Sequence, residues 1–192
     1  PSFIEQFDIE ATSLEGYLFP DTYYFFQDMT IEEVLTVMIN QFWDNFNQTL
    51  IDRSNELGFT IHEVITLASI IEGEALFDSE RRTISSVYHN RLRKNIKLQA
   101  DPTIQYLFSD GPKTLQTKHL TINSPYNTYM YYGLPPGPIN NPGIKSIEAA
   151  LYPEDTDYLY FVAKGDGYHS FSTNQSDHLK AKREYKRQKR MQ

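Results

Sequence analysis

Thr60-Ile-His-Glu-Val-Ile-Thr-Leu-Ala-Ser-Ile-Ile-Glu-Gly-Glu-Ala75 reads as one helix with a defined start. Thr60 followed three residues on by Glu63 has the form of a capping box, in which the two side chains satisfy backbone N–H groups that a helix start leaves unbonded. With the start fixed, a step of about 100° per residue sorts the side chains into faces. His62, Thr66, Ser69 and Gly73 make one polar stripe, while Ile61, Val64, Ile65, Leu67, Ala68, Ile71 and Ala75 cover most of the remainder.

In this projection Glu72 falls between Ile61 and Ile65. A carboxyl group there loses hydration, which disfavours its charged form and suits it to hold and donate a proton. Glu74 lies roughly 160° round the helix, near Leu67 and Ile70, so the two carboxyls cannot converge on one bond. The projection leaves a plainer reading open, in which one or both sit at the rim of a core helix and reach water or an Arg.

Working outward, Thr30 and Glu33 repeat the capping box and open a helix expected to run to Leu57 and stop at Gly58, with Ile31, Val34, Leu35, Met38, Phe42 and Phe46 as its apolar stripe. A helix from about Glu80 to Arg93 follows. Asp101-Pro102 reads as an N-cap with proline at the first helical position, and Asn141-Pro142 repeats the signal before Ile144 to Leu151. Tyr158 to Ala163 and Tyr168 to Ser172, joined through Lys164-Gly-Asp-Gly167, form a β-hairpin. A last helix-like tail places Leu179 and Tyr185 towards the body. The fold class expected is α+β: a mainly helical domain with a small antiparallel β component, ending in the hairpin and a helix.

The stretch from Thr121 to Asn141 is rich in Tyr, Asn, Pro and Gly and reads as a long surface loop. Loops of this length in compact domains are often functional. Tyr126, Tyr129, Tyr131 and Tyr132 offer faces for stacking on sugars, and Asn127 and Asn141 offer amides for hydroxyl or acetamido groups.

Composition limits the alternatives. The chain has 192 residues, 40% of them hydrophobic, enough for one sizeable core. No run of about 18 apolar residues suggests a transmembrane helix, and no secretion signal is visible. The start at Pro1, in strand-like sequence, points to a piece of something longer. There is no cysteine, hence no disulfide and no thiol nucleophile. Net charge is −7; the tail carries seven of the 18 basic residues, Lys180, Lys182, Arg183, Lys186, Arg187, Lys189 and Arg190, against Glu184, leaving −13 elsewhere. Such a tail suits a solvated helix or contact with anionic polymers or lipid headgroups. His62-Glu63 begins like a zinc-protease motif, but Thr66 stands where the second ligand belongs, and the remaining histidines show no ligand spacing. No metal and no cofactor is called for.

Five ordered segments resemble the endolytic murein transglycosylase, or YceG-like, family: Leu14-Glu-Gly-Tyr-Leu-Phe-Pro-Asp-Thr-Tyr23; Ala68-Ser-Ile-Ile-Glu-Gly-Glu-Ala75; Val87-Tyr-His-Asn-Arg-Leu92 leading into Leu98-Gln-Ala-Asp-Pro-Thr103; Ser124-Pro-Tyr-Asn-Thr-Tyr129 with Gly133-Leu-Pro-Pro-Gly137; and Tyr158-Leu-Tyr-Phe-Val162 with His169-Ser-Phe171. The resemblance implies an enzyme that cuts the β-1,4 bond between N-acetylmuramic acid and N-acetylglucosamine inside peptidoglycan strands and leaves a 1,6-anhydro-muramyl end. It implies Glu72 as the catalytic acid/base, Glu74 in a supporting, substrate-binding role, and a segment bordering the groove at Gln99, Asp101 and Thr103; together with Tyr126, Asn127, Tyr129 and Asn141 of the loop, these are the expected substrate-binding residues. Residues 1–29 would end an upstream LysM-like module with its leading strands, and 30–192 would be the catalytic domain. A single-pass membrane anchor upstream, an extracytoplasmic setting and wall-synthesis partners such as penicillin-binding proteins are implied too; nucleic acid is not. Gly73 departs from the family, which often has Lys there, and glycine inside a helix costs about 0.5–1 kcal/mol relative to alanine.

A lytic mechanism needs one carboxyl group, because the sugar's own C6 hydroxyl attacks, whereas ordinary glycosidases need two. Asp21, Asp101 and Glu15 are possible second carboxylates for a hydrolase. The other alternative is a non-catalytic peptidoglycan-binding scaffold that recruits synthesis enzymes.

Overall fold

The computed structural model describes residues 3–7, 9 and 11–189. The fold is α+β, and its centre is the stretch quoted above. It forms α3 (Ile61–Glu74) with both arms of the capping box made: Thr60 N–H donates to Glu63 Oε2 at 2.8 Å and Glu63 N–H donates to Thr60 Oγ1 at 3.1 Å. Val64 to Ile71 are all buried, so α3 is the core helix. The middle of its polar stripe, Thr66 and Ser69, is buried and fully bonded. Thr66 Oγ1 donates to His62 O, Ser69 Oγ donates to Thr66 O and accepts from Ile139 N–H, and Asn140 Nδ2 donates to Ser69 O. That stripe therefore docks the loop that ends the tyrosine-rich stretch.

The helix expected from Thr30 to Leu57 is two. The first, α1 (Ile31–Asn45), has its Thr30–Glu33 capping box in place. It ends at Phe46, which is buried against Phe42; Asn47 then takes an extended conformation and its side chain accepts from Leu50 N–H, opening α2 (Gln48–Leu57). An Asn that competes for backbone donors makes a better cap than helix interior. Gly58 closes α2 in the left-handed region, as expected.

After α3 come α4 (Asp78–Arg93), α5 (Asp101–Gln105) and α6 (Ile144–Leu151); α6 lies across both α3 and α4. Two expected caps sit elsewhere. Ala100 is the N-cap of α5, with Asp101 already in its first turn, and Gly143 is the N-cap of α6. Strands β1 (Tyr160–Ala163) and β2 (His169–Ser172) pair antiparallel, Phe161 opposite Phe171 and Ala163 opposite His169. The turn needs glycine: Gly167 has φ +90, and a Cβ there would lie 2.6 Å from Leu76 Cδ2 and 2.7 Å from the Phe77 ring. The hairpin tip is thereby seated on the corner between α3 and α4.

The final helix, α7 (Gln175–Lys189), packs on the hairpin. His178, Ala181 and Tyr185 are its inward positions, and Leu179 is 46% exposed, so only Tyr185 of the expected pair faces the body. Arg190 of the basic tail lies outside the described residues. Among the described residues before α1 there is no strand. The chain makes a 3-10 turn at Ile4–Phe7, then bends, and buries Ile9, Tyr17 and Phe19 in the same core as α1 and α3. No helix among the described residues is long and apolar enough to cross a membrane.

Candidate active site

The two carboxyls at the end of α3 diverge, as the helical step requires, and meet opposite environments. Glu72 does not lie against Ile61 and Ile65. Its Oε1 accepts from Arg81 Nη2 at 3.2 Å, and its Oε2 accepts from Ser146 Oγ at 2.8 Å and Gly143 N–H at 3.2 Å. Arg81 also reaches Ser146 Oγ and Asp78. The expected apolar setting fails because helical projection knows nothing of α4 and α6, which bring Arg81 and the Gly143–Ser146 turn over this face. These charge-assisted bonds tie α3, α4 and the start of α6 together. What remains open beside Glu72 is a separate cavity shared with Asp21, Asn45 and Lys145.

Glu74 has the setting projected for Glu72. Burial pushes its carboxyl up from the ordinary 4.5 to about 7, opposed by the hydrogen bond from Tyr88 and reinforced by the nearby Asp101 charge. Tyr88 OH donates to Glu74 Oε1 at 2.9 Å from a fully buried ring, and the backbone N–H of Asp101 also reaches the carboxyl. No ion pair compensates it among the described residues. Arg91, which lines the same cavity, is committed to carbonyls, donating to Leu159 O at 2.6 Å, Leu98 O at 2.8 Å and Lys97 O at 2.9 Å. Asp101 in turn accepts from Tyr129 OH. Burial and this bond raise the Tyr129 phenol's own pKa, so it is a firm donor.

Glu74 and Asp101 lie where two cavities meet. One, of about 370 Å³, is lined by Gln99, Tyr129 and Arg91 on one side and by Phe161, His169 and α7 residues Lys182 and Tyr185 on the other. The second, of about 580 Å³, is lined by Pro102, Gln105, Tyr106, Phe108 and Asn140. Gly73 lets them join closely: a Cβ there would lie 2.8 Å from Pro102 Cβ, so glycine allows α5 to approach the end of α3. A carboxyl near neutrality at the junction of two grooves can protonate a bond whose chain continues in both directions.

Of the expected binding residues, the structure brings Glu74, Gln99, Asp101 and Tyr129 together. Gln99 holds a left-handed backbone, φ +51, fixed by its N–H to Thr128 O. It does not bring the others. Thr103 is fully buried, its hydroxyl bonded to Ala100 O and Thr128 Oγ1. Asn127 is fully buried and holds the tyrosine loop through Leu120 O, Ile122 O and Tyr129 N–H. Asn141 Oδ1 accepts from Gly16 N–H at 2.7 Å and Leu18 N–H at 3.2 Å, pinning the N-terminal segment. Tyr126 packs at a tilt against Tyr106 in a different depression beside His62 and Pro136. The buried Thr103 and Asn127 and the half-buried Asn141 hold the loop in place, because amides and hydroxyls that satisfy an irregular backbone are spent there. Tyr88, Arg91 and His169 were missed as site residues; the only signal for them is their place inside the quoted segments.

Comparison with known proteins gives a consistent answer. The YceG-like family model matches residues 3–184. A Bacillus subtilis (strain 168) protein named endolytic murein transglycosylase is 44% identical over 173 residues, covering 90% of this chain and 48% of that one. A protein of the same name from Streptococcus pneumoniae is 32% identical over 190 residues, covering 93% of this chain and 34% of its own. The crystal structure of a yceG-like protein from Listeria monocytogenes superposes with a TM-score of 0.83 at 38% identity, over 93% of this chain and 61% of that one. The chain thus spans about half or less of the length of these curated relatives. On these grounds, this chain belongs to the YceG-like family.

Proposed function

We propose that this chain is the cleaving part of an endolytic murein transglycosylase, acting on the β-1,4 bond between N-acetylmuramic acid and N-acetylglucosamine within peptidoglycan strands, with Glu74 as the acid/base. The observation that carries the reading is a carboxyl raised to about 7 at the junction of two open cavities. Neutral Glu74 gives its proton to the bridging oxygen. As the bond breaks, positive charge grows on the ring carbon, and the Asp101 carboxylate beside it favours that charge. The C6 hydroxyl of the same sugar attacks that carbon, and Glu74, now a carboxylate, takes the hydroxyl proton. The product is an anhydro sugar and the acid is restored, with no water consumed.

Glu72 is the residue first expected in this role. Its three donors make it an anchor between helices, so the proton-handling role is assigned to Glu74. One observation favours a second reading: Asp101 gives Glu74 a carboxyl neighbour, which is what a hydrolase needs. Mass spectrometry of the products from purified strands separates the two. Ends in 1,6-anhydro-muramic acid are expected; free reducing ends would establish hydrolysis, and no cleavage would favour the scaffold reading. The relatives' names support a setting at the cell wall, outside the cytoplasm. An upstream anchor, a LysM-like module and wall-synthesis partners belong to the same proposal.

A further inference from the structure

A second pair of ionisable groups opens on the Glu74 groove and has no part in the mechanism above. Glu80, on α4, is buried and accepts twice from one residue of β2: from His169 N–H at 3.0 Å and from the His169 ring at Nδ1, 2.9 Å away. The side chains are 11% and 10% exposed. A carboxylate at Nδ1 sets that nitrogen as the donor, so a neutral ring presents Nε2 as an acceptor. Phe161 stands edge-on to the ring at 5.2 Å, restricting its rotation. Among the described residues Nε2 has no partner, and it is not among the buried unbonded atoms, so solvent reaches it. His169 lines the same cavity as Glu74, Gln99 and Tyr129.

We propose that His169, oriented by Glu80, is a substrate-contacting residue of this groove, whose Nε2 accepts a hydrogen bond from a sugar hydroxyl of the bound glycan and fixes the ring beside Glu74. The proposal rests on the reading of the groove as a glycan site. The plainer role, a clip between α4 and the hairpin, uses Nδ1 and the backbone alone.

Two isosteric variants separate these roles. An Asn at 169 places its amide nitrogen near Nδ1 and keeps the bond to Glu80, but has nothing at Nε2. A Gln places its amide near Nε2 and gives up the clip. In steady-state cleavage of glycan strands, His169→Asn is expected to raise KM at least tenfold while melting close to the parent, and His169→Gln to keep more of the parent's KM while melting lower. A His169→Asn protein with parental KM, or one whose KM is restored no better by Gln, would overturn the proposal. A second arm needs no cleavage: imidazole 1H–15N spectra of the Glu74→Gln protein, titrated with a tetrasaccharide of alternating N-acetylglucosamine and N-acetylmuramic acid. An unprotonated Nε2 whose resonance moves on titration supports the contact; an Nε2–H tautomer, or an unmoved resonance, overturns it. If the parent cuts no glycan yet Nε2 still responds, the cleavage reading falls and the contact stands.

Discussion

Glu74 is costly where it sits. Its proton is held up to about 7 in the folded protein against 4.5 when exposed, so the folded state binds the extra proton between those values. Stability is therefore full below about 4.5 and is lost as pH rises through about 7. Glu74→Gln removes the titration and keeps the acceptor for Tyr88. It should unfold in denaturant at least 1 kcal/mol later than the parent at pH 8, and the difference should shrink to near zero at pH 4.5. On the proposed mechanism, the cleavage rate should fall about tenfold per pH unit above 7, because only the neutral acid can donate. By contrast Glu72→Gln weakens three bonds at once and should lose about 1–3 kcal/mol in the same denaturation assay.

At the scale of elements, α3 was legible because its caps and its apolar faces act locally. Both Thr–Glu capping boxes, the hairpin and the Gly58 stop are short-range patterns, and each is where the sequence puts it. The divergence of Glu72 and Glu74 was legible too, as a property of the helical step. Which of them meets donors was not, since Arg81 and Ser146 arrive on α4 and α6 and Tyr88 and Asp101 arrive on α4 and α5. Asn47 and Asn127 were misplaced for the same reason: an amide reads alike as helix interior, ligand contact or cap until the backbone it satisfies is known. The docking of the 139–140 loop on α3 gives an element-scale prediction. Ser69→Ala leaves the buried Ile139 N–H without an acceptor, which should cost about 1–3 kcal/mol and raise hydrogen exchange at that amide before any on α3 itself.

Across the whole molecule, the groove is assembled from parts far apart in sequence: the end of α3, the turn at Gln99–Asp101, Tyr129 from the tyrosine loop, and the hairpin with α7. Irregular segments hold it in place because their polar atoms are bonded inward, at Asn127, Thr128 and Asn141. Two cavities meeting at Glu74 predict cuts within strands. Timed digests of long glycan strands, sized by chromatography, should first show products of intermediate length; disaccharides released from the start would mean attack from an end.

The most direct test of the central claim compares cleavage rates of the parent, Glu74→Gln and Glu72→Gln on the same purified strands, with folding of each checked by circular dichroism. Glu74→Gln is expected to be folded and slower by at least a thousandfold, while folded Glu72→Gln stays within about tenfold of the parent, the gap reflecting loss of the acid/base against loss of an anchor. A folded Glu74→Gln that still cuts at the parental rate, or a Glu72→Gln that is folded and inactive, would contradict it and return the role to Glu72.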